Sequence, residues 1–231
     1  MSYAFEPVPQ PVVLVHGQAD LFPVHRIYCV GRNYEAHARE MGATTRAAPF
    51  FFMKPADAVV AVPDNTTGRI AYPVRTTSLH HEVELVVAIG KDGANIAKAQ
   101  ARDHIFGYAV GLDMTRRDLQ QAAKDKRLPW EVGKAFDQSA PIGPIHPIAG
   151  TGLLTQGPIW LDVDGRRRQT GDLSDLIWTV EEIIEHLSGL FALRRGDLIF
   201  TGTPDGVANV LAGECMTAGI AGLGELRVCV A

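Results

Sequence analysis

Two acids stand two apart in an otherwise apolar run: Glu82 and Glu84 in LHHEVELVVAIG, residues 79–90. In an extended chain alternate side chains share a face, so both carboxylates point one way and Val83 and Leu85 the other. Paired carboxylates on one sheet face repel, and a divalent cation removes that repulsion. A third acid, Asp113, closes another apolar run, IFGYAVGLDMT at 105–115. Three carboxylates from neighbouring strands would form an oxygen-rich site suited to Mg²⁺ or Mn²⁺. Spacing alone leaves a second reading open, in which Glu82 and Glu84 form the solvent face of a half-exposed strand. The unbroken VELVVAIG run counts against it, because such runs belong to strands covered on both faces.

His37 and Glu40 lie three apart in NYEAHAREMG (33–42), which reads as a short helix ending at Gly42. Their side chains would be neighbours, and a carboxylate beside an imidazole raises its basicity and fixes its tautomer. That suits a general base, although a solvent-exposed His/Glu pair is the commoner arrangement. His80 and His81 could be ligands, but adjacent strand residues point to opposite faces, so at most one joins the acids. Cys29 lies in an apolar strand and reads as an inert core thiol. The sequence has no P-loop, GxSxG elbow, HExxH or post-strand GxGxxG.

The elements that must position these residues are mostly short strands. Strands are expected at 11–15, 26–31, 48–55, 57–63, 105–115, 196–207 (running into a Gly/Pro turn) and 224–230. Residues 158–171 read as a hairpin turning at DVDG, with the basic cluster Arg166–Arg168 as a solvated strand end. TRRDLQQAAKDKR (115–127) reads as a helix poor in apolar residues, exposed or lining a site. Thr179 and Glu182 form a capping box opening the clearest helix, 179–193, whose apolar face is Val180, Ile183, Ile184, Leu187 and Leu190. Strands do not alternate with long helices, so a Rossmann or TIM-type parallel sheet is the weaker reading. The expected class is α+β and β-rich.

With 231 residues, 46% of them hydrophobic and 21% charged, the chain has the composition of a soluble globular protein with a sizeable core. A net charge of −4 gives no electrostatic reason to expect nucleic acid or an anionic membrane as partner. The N-terminus has no basic n-region, and no segment reaches membrane-spanning length. Cys29, Cys215 and Cys229 are odd in number and far apart, so no disulfide framework is expected and a reducing cytoplasm is the default.

YCVGRNYEAHAREMG, FFMKPADAV, LHHEVELVVAIG, GYAVGLDMTRRDLQ, LPWEVGKAFDQSAPIGP and GDLIFTGTPDGV occur in one order, and together they resemble the fumarylacetoacetate hydrolase family. The likeness is greatest to its small acylpyruvase and fumarylpyruvate hydrolase branch. It runs from about residue 26 to the C-terminus, leaving 1–25 as an N-terminal extension and 26–231 as the catalytic domain. The resemblance implies a mixed β-roll or sandwich-like fold with short peripheral helices, usually a homodimer, with Mg²⁺ or Mn²⁺ on Glu82, Glu84 and Asp113. It implies a His37–Glu40 dyad that activates water, Lys134 as oxyanion or enolate stabiliser, Arg117 and Gln120 as substrate contacts, and Thr203 at the substrate carboxylate.

The resemblance further implies a small diketo-acid substrate. The reaction would be metal-dependent hydrolysis of the C–C bond of an acylpyruvate, foremost fumarylpyruvate to fumarate and pyruvate in aromatic, gentisate-type catabolism. His37 would deprotonate water for attack on the 4-carbonyl, Lys134 would hold the oxyanion, and the metal would act as Lewis acid. The alternative is oxaloacetate decarboxylation, or isomerisation and decarboxylation of a 2-oxo-heptene-dioate, at the same metal site. The HxxE pair favours hydrolysis, because attack by water needs a base.

Overall fold

The computed structural model describes residues 3–34 and 48–231. His37 and Glu40, and the helix expected at 33–42 beyond Tyr34, lie outside the described residues. An eight-stranded mixed sheet forms the centre. Its order is Phe50–Lys54, Arg26–Gly31, Asp197–Phe200, Val83–Ile89, Ile105–Leu112, Ala140–Ile142 and Val59–Ala61, with His146–Pro147 paired beside Ile105–Leu112. A five-stranded sheet runs Arg166–Asp172, Pro158–Val163, Cys215–Ile220, Gly224–Val230 and Thr67–Ile70. The β-rich α+β class read from the sequence is the observed one.

The apolar run that carries the acids is the middle of this arrangement. Every residue of Val83–Ile89 is buried. Val83, Leu85, Val87 and Ile89 join a cluster that includes Leu161, Ala218 and Val228 of the five-stranded sheet and Ile183, Ile184 and Leu187 of the helix Val180–Leu190. Val86 and Ala88 face the other way, into a second cluster with Leu198, Phe200, and Val13 and Phe22 of the N-terminal strand pair Val12–Leu14 and Leu21–Pro23. Period-two side chains therefore feed two cores, which is why the strand has no solvent-facing side. Close packing extends to Gly111, where a Cβ would come within 2.5 Å of Val86 Cγ2 and 2.7 Å of Phe200 Cε1.

Local chemistry explains several element ends. Asp164 and Gly165 both take positive φ, 47° and 74°, the turn demanded by a two-residue hairpin between Pro158–Val163 and Arg166–Asp172. Arg166, Arg167 and Arg168 are exposed, as expected of a solvated strand end. Thr179 and Glu182 form the capping box of Val180–Leu190. Leu190 departs from expectation: it is 67% exposed, because the helix ends there and Phe191 already takes extended dihedrals. The 57–63 segment also differs. The Ala58 N–H bonds back to Pro55 O at 3.0 Å, closing one 3₁₀ turn at Ala56–Ala58 before the strand begins at Val59.

The cysteines also depart from expectation. Cys215 and Cys229 stand directly opposite in an antiparallel pair, with Cα atoms 4.0 Å apart, and form a disulfide. Sequence spacing does not reveal this, because strand register alone brings them together. Cys29 is fully buried, and burial pushes its thiol well above the usual range, as expected for an inert core cysteine.

The strand Asp197–Phe200 is anchored at its start. The buried Asp197 carboxylate accepts from Arg26 Nη2 at 2.9 Å and Nε at 3.1 Å and from the Arg194 N–H at 2.8 Å, with His25 Nδ1 2.7 Å away. Asp197→Ala removes the shared partner of all four. Because Arg26 can still reach water, the expected loss is about 2–3 kcal/mol in urea unfolding. A variant as stable as the wild type would show the anchor to be dispensable.

Candidate metal centre

Two strand ends deliver the three acids. Glu82 precedes Val83–Ile89, Glu84 lies within it, and Asp113 follows Ile105–Leu112. The strands pair antiparallel with Val83 opposite Leu112, so the end that carries Glu82 and Glu84 meets the end that carries Asp113. One carboxylate oxygen from each of the three lies within 4.8 Å of the others, and all three residues are buried. The exposed-face reading of Glu82 and Glu84 is therefore excluded. The donor set is all-oxygen and anionic, which is the chemistry of Mg²⁺ or Mn²⁺ sites.

Burial of three carboxylates needs cations, and the structure supplies them. Lys134, on the short helix Glu131–Lys134, places Nζ 2.8 Å from Glu82 Oε2 and 2.7 Å from Asp113 Oδ2. Burial opposes its charge, but Asp113 and Glu82 outweigh that and hold the ammonium above its ordinary pKa. Arg117 opens the helix Arg117–Asp125, pairs with Glu82 Oε1 through Nη2 and donates from Nη1 to Gln120 Oε1 at 2.6 Å. Glu84 differs: among the described residues it has no cation at ion-pair distance and accepts one backbone N–H, from Gly202 at 2.8 Å. Burial first, and then the charges of Asp113 and Glu82, push its carboxyl well above the usual range. A bound cation would relieve that state, so the residues present fit the ion.

The expected site residues, His37 and Glu40 excepted, come together. Glu82, Glu84, Asp113, Arg117, Gln120, Lys134 and Thr203 line one cleft. Phe52 and Trp130 add an apolar wall, their rings 5.9 Å apart. His80 and His81 separate as strand alternation requires. His80 Nδ1 lies 3.4 Å from Arg117 Nε, and burial together with the Arg117 charge pushes its pKa down to about 4. His81 is fully buried against Gln169.

Sequence reasoning passed over Lys54, the last residue of Phe50–Lys54. Its side chain is fully buried, 2.9 Å from Asp113 Oδ1, and donates to the carbonyls of Met114 (3.1 Å) and Lys134. The available signal was a lysine closing an aromatic strand, FFFMKP, a place where a charge is kept only if paired. Gln169 and Asn33 were also passed over. Asn33 accepts from the Trp178 N–H at 2.8 Å and donates to Thr201 O at 2.8 Å, tying it to the residue before the cleft-lining Gly202.

A second ligand-type cluster, His16, Asp64 and His146, lies beside the N-terminal strand pair. Its imidazoles stack 3.9 Å apart at 13°, and His16 Nδ1 is taken by Asp64 Oδ2 at 2.7 Å. Lone pairs in near-parallel planes do not converge on one ion, so this is a packing contact.

Fold and cleft together define a metal-dependent enzyme whose buried acids fit a divalent cation. Residues 26–231 match the C-terminal domain of fumarylacetoacetate (FAA) hydrolase. A fumarylpyruvate hydrolase of Ralstonia sp is 43% identical over 181 residues, 78% of this chain and 92% of the relative. A mitochondrial oxaloacetate tautomerase of Arabidopsis thaliana is 43% identical over 202 residues, 87% of this chain and 89% of the relative. The crystal structure of fumarylpyruvate hydrolase from Pseudomonas aeruginosa, in complex with Mn²⁺ and pyruvate, superposes with a TM-score of 0.98 at 54% identity. It covers 100% of this chain and 99% of that one. The chain belongs to the fumarylacetoacetate hydrolase family, and with it to the enzymes that hydrolyse carbon–carbon bonds.

Lys54→Met strips a buried carboxylate and two buried carbonyls of their shared cation. It is expected to cost about 3–5 kcal/mol of folding stability. Urea unfolding within about 1 kcal/mol of wild type would show that the acid cluster does not depend on it.

Proposed function

We propose that the protein hydrolyses fumarylpyruvate to fumarate and pyruvate, with Glu82, Glu84 and Asp113 holding Mg²⁺ or Mn²⁺. The observation that carries this reading is the convergence of three buried carboxylates with Lys134, Arg117 and Thr203 on one cleft. When bound, the ion supplies Lewis-acid polarisation of the keto acid's oxygens. His37, oriented by Glu40, takes a proton from the water that attacks the 4-carbonyl. Lys134, already charged and buried, balances negative charge developing on the substrate oxygens. The C3–C4 bond breaks, fumarate leaves with the water oxygen, and the three-carbon fragment takes up a proton to become pyruvate. Arg117 and Gln120 contact substrate, and Thr203 binds its carboxylate. The apolar Phe52 and Trp130 wall suits the flat unsaturated chain.

Arg32 favours a dicarboxylate over a simple acylpyruvate. It lines the cleft, and among the described residues no carboxylate stands at ion-pair distance from it. A distal carboxylate would provide that partner. Arg32→Met is expected to raise KM for fumarylpyruvate by about ten-fold and to leave acetylpyruvate within about two-fold. Equal losses on the two substrates would remove Arg32 from recognition.

The physiological setting proposed is aromatic, gentisate-type catabolism in the cytoplasm, by a homodimer whose residues 1–25 are an extension of the catalytic domain at 26–231. Among the described residues no helix is long and apolar enough to cross a membrane. Two relatives favour a second reading, in which the same cation and lysine act on oxaloacetate: the Arabidopsis tautomerase points to its tautomerisation, and a mitochondrial oxaloacetate decarboxylase of Dictyostelium discoideum to its decarboxylation.

Purified protein with Mg²⁺ is offered fumarylpyruvate, acetylpyruvate and oxaloacetate, following enol absorbance, pyruvate and CO₂. Fumarate plus pyruvate, abolished by chelator and by Glu84→Ala, is the expected result. CO₂ or enol–keto exchange from oxaloacetate alone supports the second reading. Full turnover by Glu84→Ala removes the metal assignment.

A further inference from the structure

Gln169 is buried and absent from the roles above, and its surroundings allow one orientation only. It follows three solvated arginines because the pairing with Pro158–Val163 shifts at Leu161/Asp162: Leu161 faces Gln169 and Asp162 faces Arg167. Arg168 is the extra residue of a bulge, and Gln169 is turned fully inward. Gln169 Oε1 lies 3.1 Å from Val83 N, which can only donate. Gln169 Nε2 lies 2.9 Å from Pro204 O, which can only accept. Backbone groups at both ends thus fix which amide atom is oxygen and which nitrogen.

Two hydrogen positions follow. Oε1 carries no hydrogen, so His81 Nδ1, 2.9 Å away, is the protonated ring nitrogen. Nε2 has only hydrogens to offer, so Thr203 Oγ1, 2.8 Å away, must accept one. A threonine hydroxyl has a single hydrogen, and with its oxygen held as acceptor that hydrogen goes elsewhere. Among the described residues no acceptor is placed for it, and Thr203 lines the cleft beside Glu84 and Asp113. The turn that carries Thr203 is seated on the bulge itself. Gly206, at φ +87°, lies where a Cβ would come within 2.0 Å of Arg168 O.

We propose that Gln169 is a positioning residue that fixes the Thr203 hydroxyl as a hydrogen-bond donor into the cleft, toward the carboxylate of a 2-oxo acid. The inference rests on the 2-oxo-acid reading of the site. A carboxylate only accepts, so a hydroxyl whose hydrogen turned inward would meet it lone pair to lone pair. Fixing the donor sense before the ligand arrives also removes a rotor that binding would otherwise have to order.

The test is calorimetric binding of pyruvate to the full-length protein with Mn²⁺, with Mn²⁺ binding alone measured beside it and folding checked by circular dichroism. Gln169→Met and Thr203→Val are each expected to weaken pyruvate about ten-fold, with Mn²⁺ affinity within about two-fold of wild type. In the Thr203→Val background, Gln169→Met is expected to add less than about two-fold, because the two act through one hydroxyl. Gln169→Glu, similar in shape but acceptor-only, is expected to weaken pyruvate at least as much as Gln169→Met. Thr203→Ser keeps the hydroxyl and is expected to bind pyruvate within about two-fold of wild type. Additive losses in the double variant, or Mn²⁺ affinity falling in step with pyruvate, would overturn the proposal and leave the 2-oxo-acid reading standing. So would Thr203→Ser losing as much as Thr203→Val, even if no Gln169 variant folds. Absence of pyruvate binding by the wild type would overturn both.

Discussion

Three carboxylates taken out of water within a few ångströms of one another set the terms for the rest of the molecule. Left alone they would protonate or drive the strand ends apart, because neither desolvation nor mutual repulsion favours three charges there. The chain answers with three cations from three different elements: Lys54 from a strand end, Lys134 from a one-turn helix and Arg117 from the first turn of another helix. Two of them, Lys54 and Lys134, are themselves buried, and Lys54 holds Lys134 through its carbonyl as well as Asp113 through its carboxylate. Glu82, Asp113 and the three cations thus form a closed charge cluster, with Glu84 beside it on the Gly202 N–H. Removing one member leaves an uncompensated opposite charge, which costs more than any of the pairs contributes alone.

This cluster explains why the central strand is covered on both sides. Electrostatic attraction in the cleft is strong only where water is excluded, and exclusion needs a wall behind each acid. The two apolar clusters that share Val83–Ile89 provide it. The second sheet therefore does more than complete a core: it supplies Gln169 and, through the bulge at Arg168, a seat for the turn after Phe200.

The sequence exposed what depends on short-range periodicity. The Glu82/Glu84 spacing, the capping box at Thr179 and the Asp164–Gly165 hairpin are each decided within four residues, and each is where it was expected. Features decided by register were hidden. Lys54 meets Asp113 across 59 positions of chain, the Cys215–Cys229 pair depends on how two strands align, and Gln169 points inward only because of one extra residue. In the run RRRQT nothing local separates the buried glutamine from the solvated arginines before it. The charge it lacks is the one hint, and a bulge is invisible to alternation counting. The family resemblance brought Lys134, Arg117, Gln120 and Thr203 into view, and the geometry gathers those four with the acids in one cleft.

The segment TGTP, residues 201–204, brings these features together in the chain. Strand Asp197–Phe200, anchored by its buried aspartate, runs antiparallel to the acid-bearing strand, and the chain leaves it at the level of Glu84. Thr201 closes the ladder, with both its N–H and its hydroxyl on Leu85 O, at 3.1 and 2.9 Å. Gly202 then takes φ +103°, with its N–H on Glu84 at 2.8 Å, in a position where a Cβ would come within 2.8 Å of Asn33 Cβ. Only glycine meets both demands, the left-handed backbone and the close approach. Thr203 follows on the cleft wall, and Pro204 gives its carbonyl to Gln169. Four consecutive residues thus end a strand, hold a carboxylate, present a hydroxyl and lock the amide that orients it. A displaced residue in this turn disturbs its neighbours' work before it disturbs the fold.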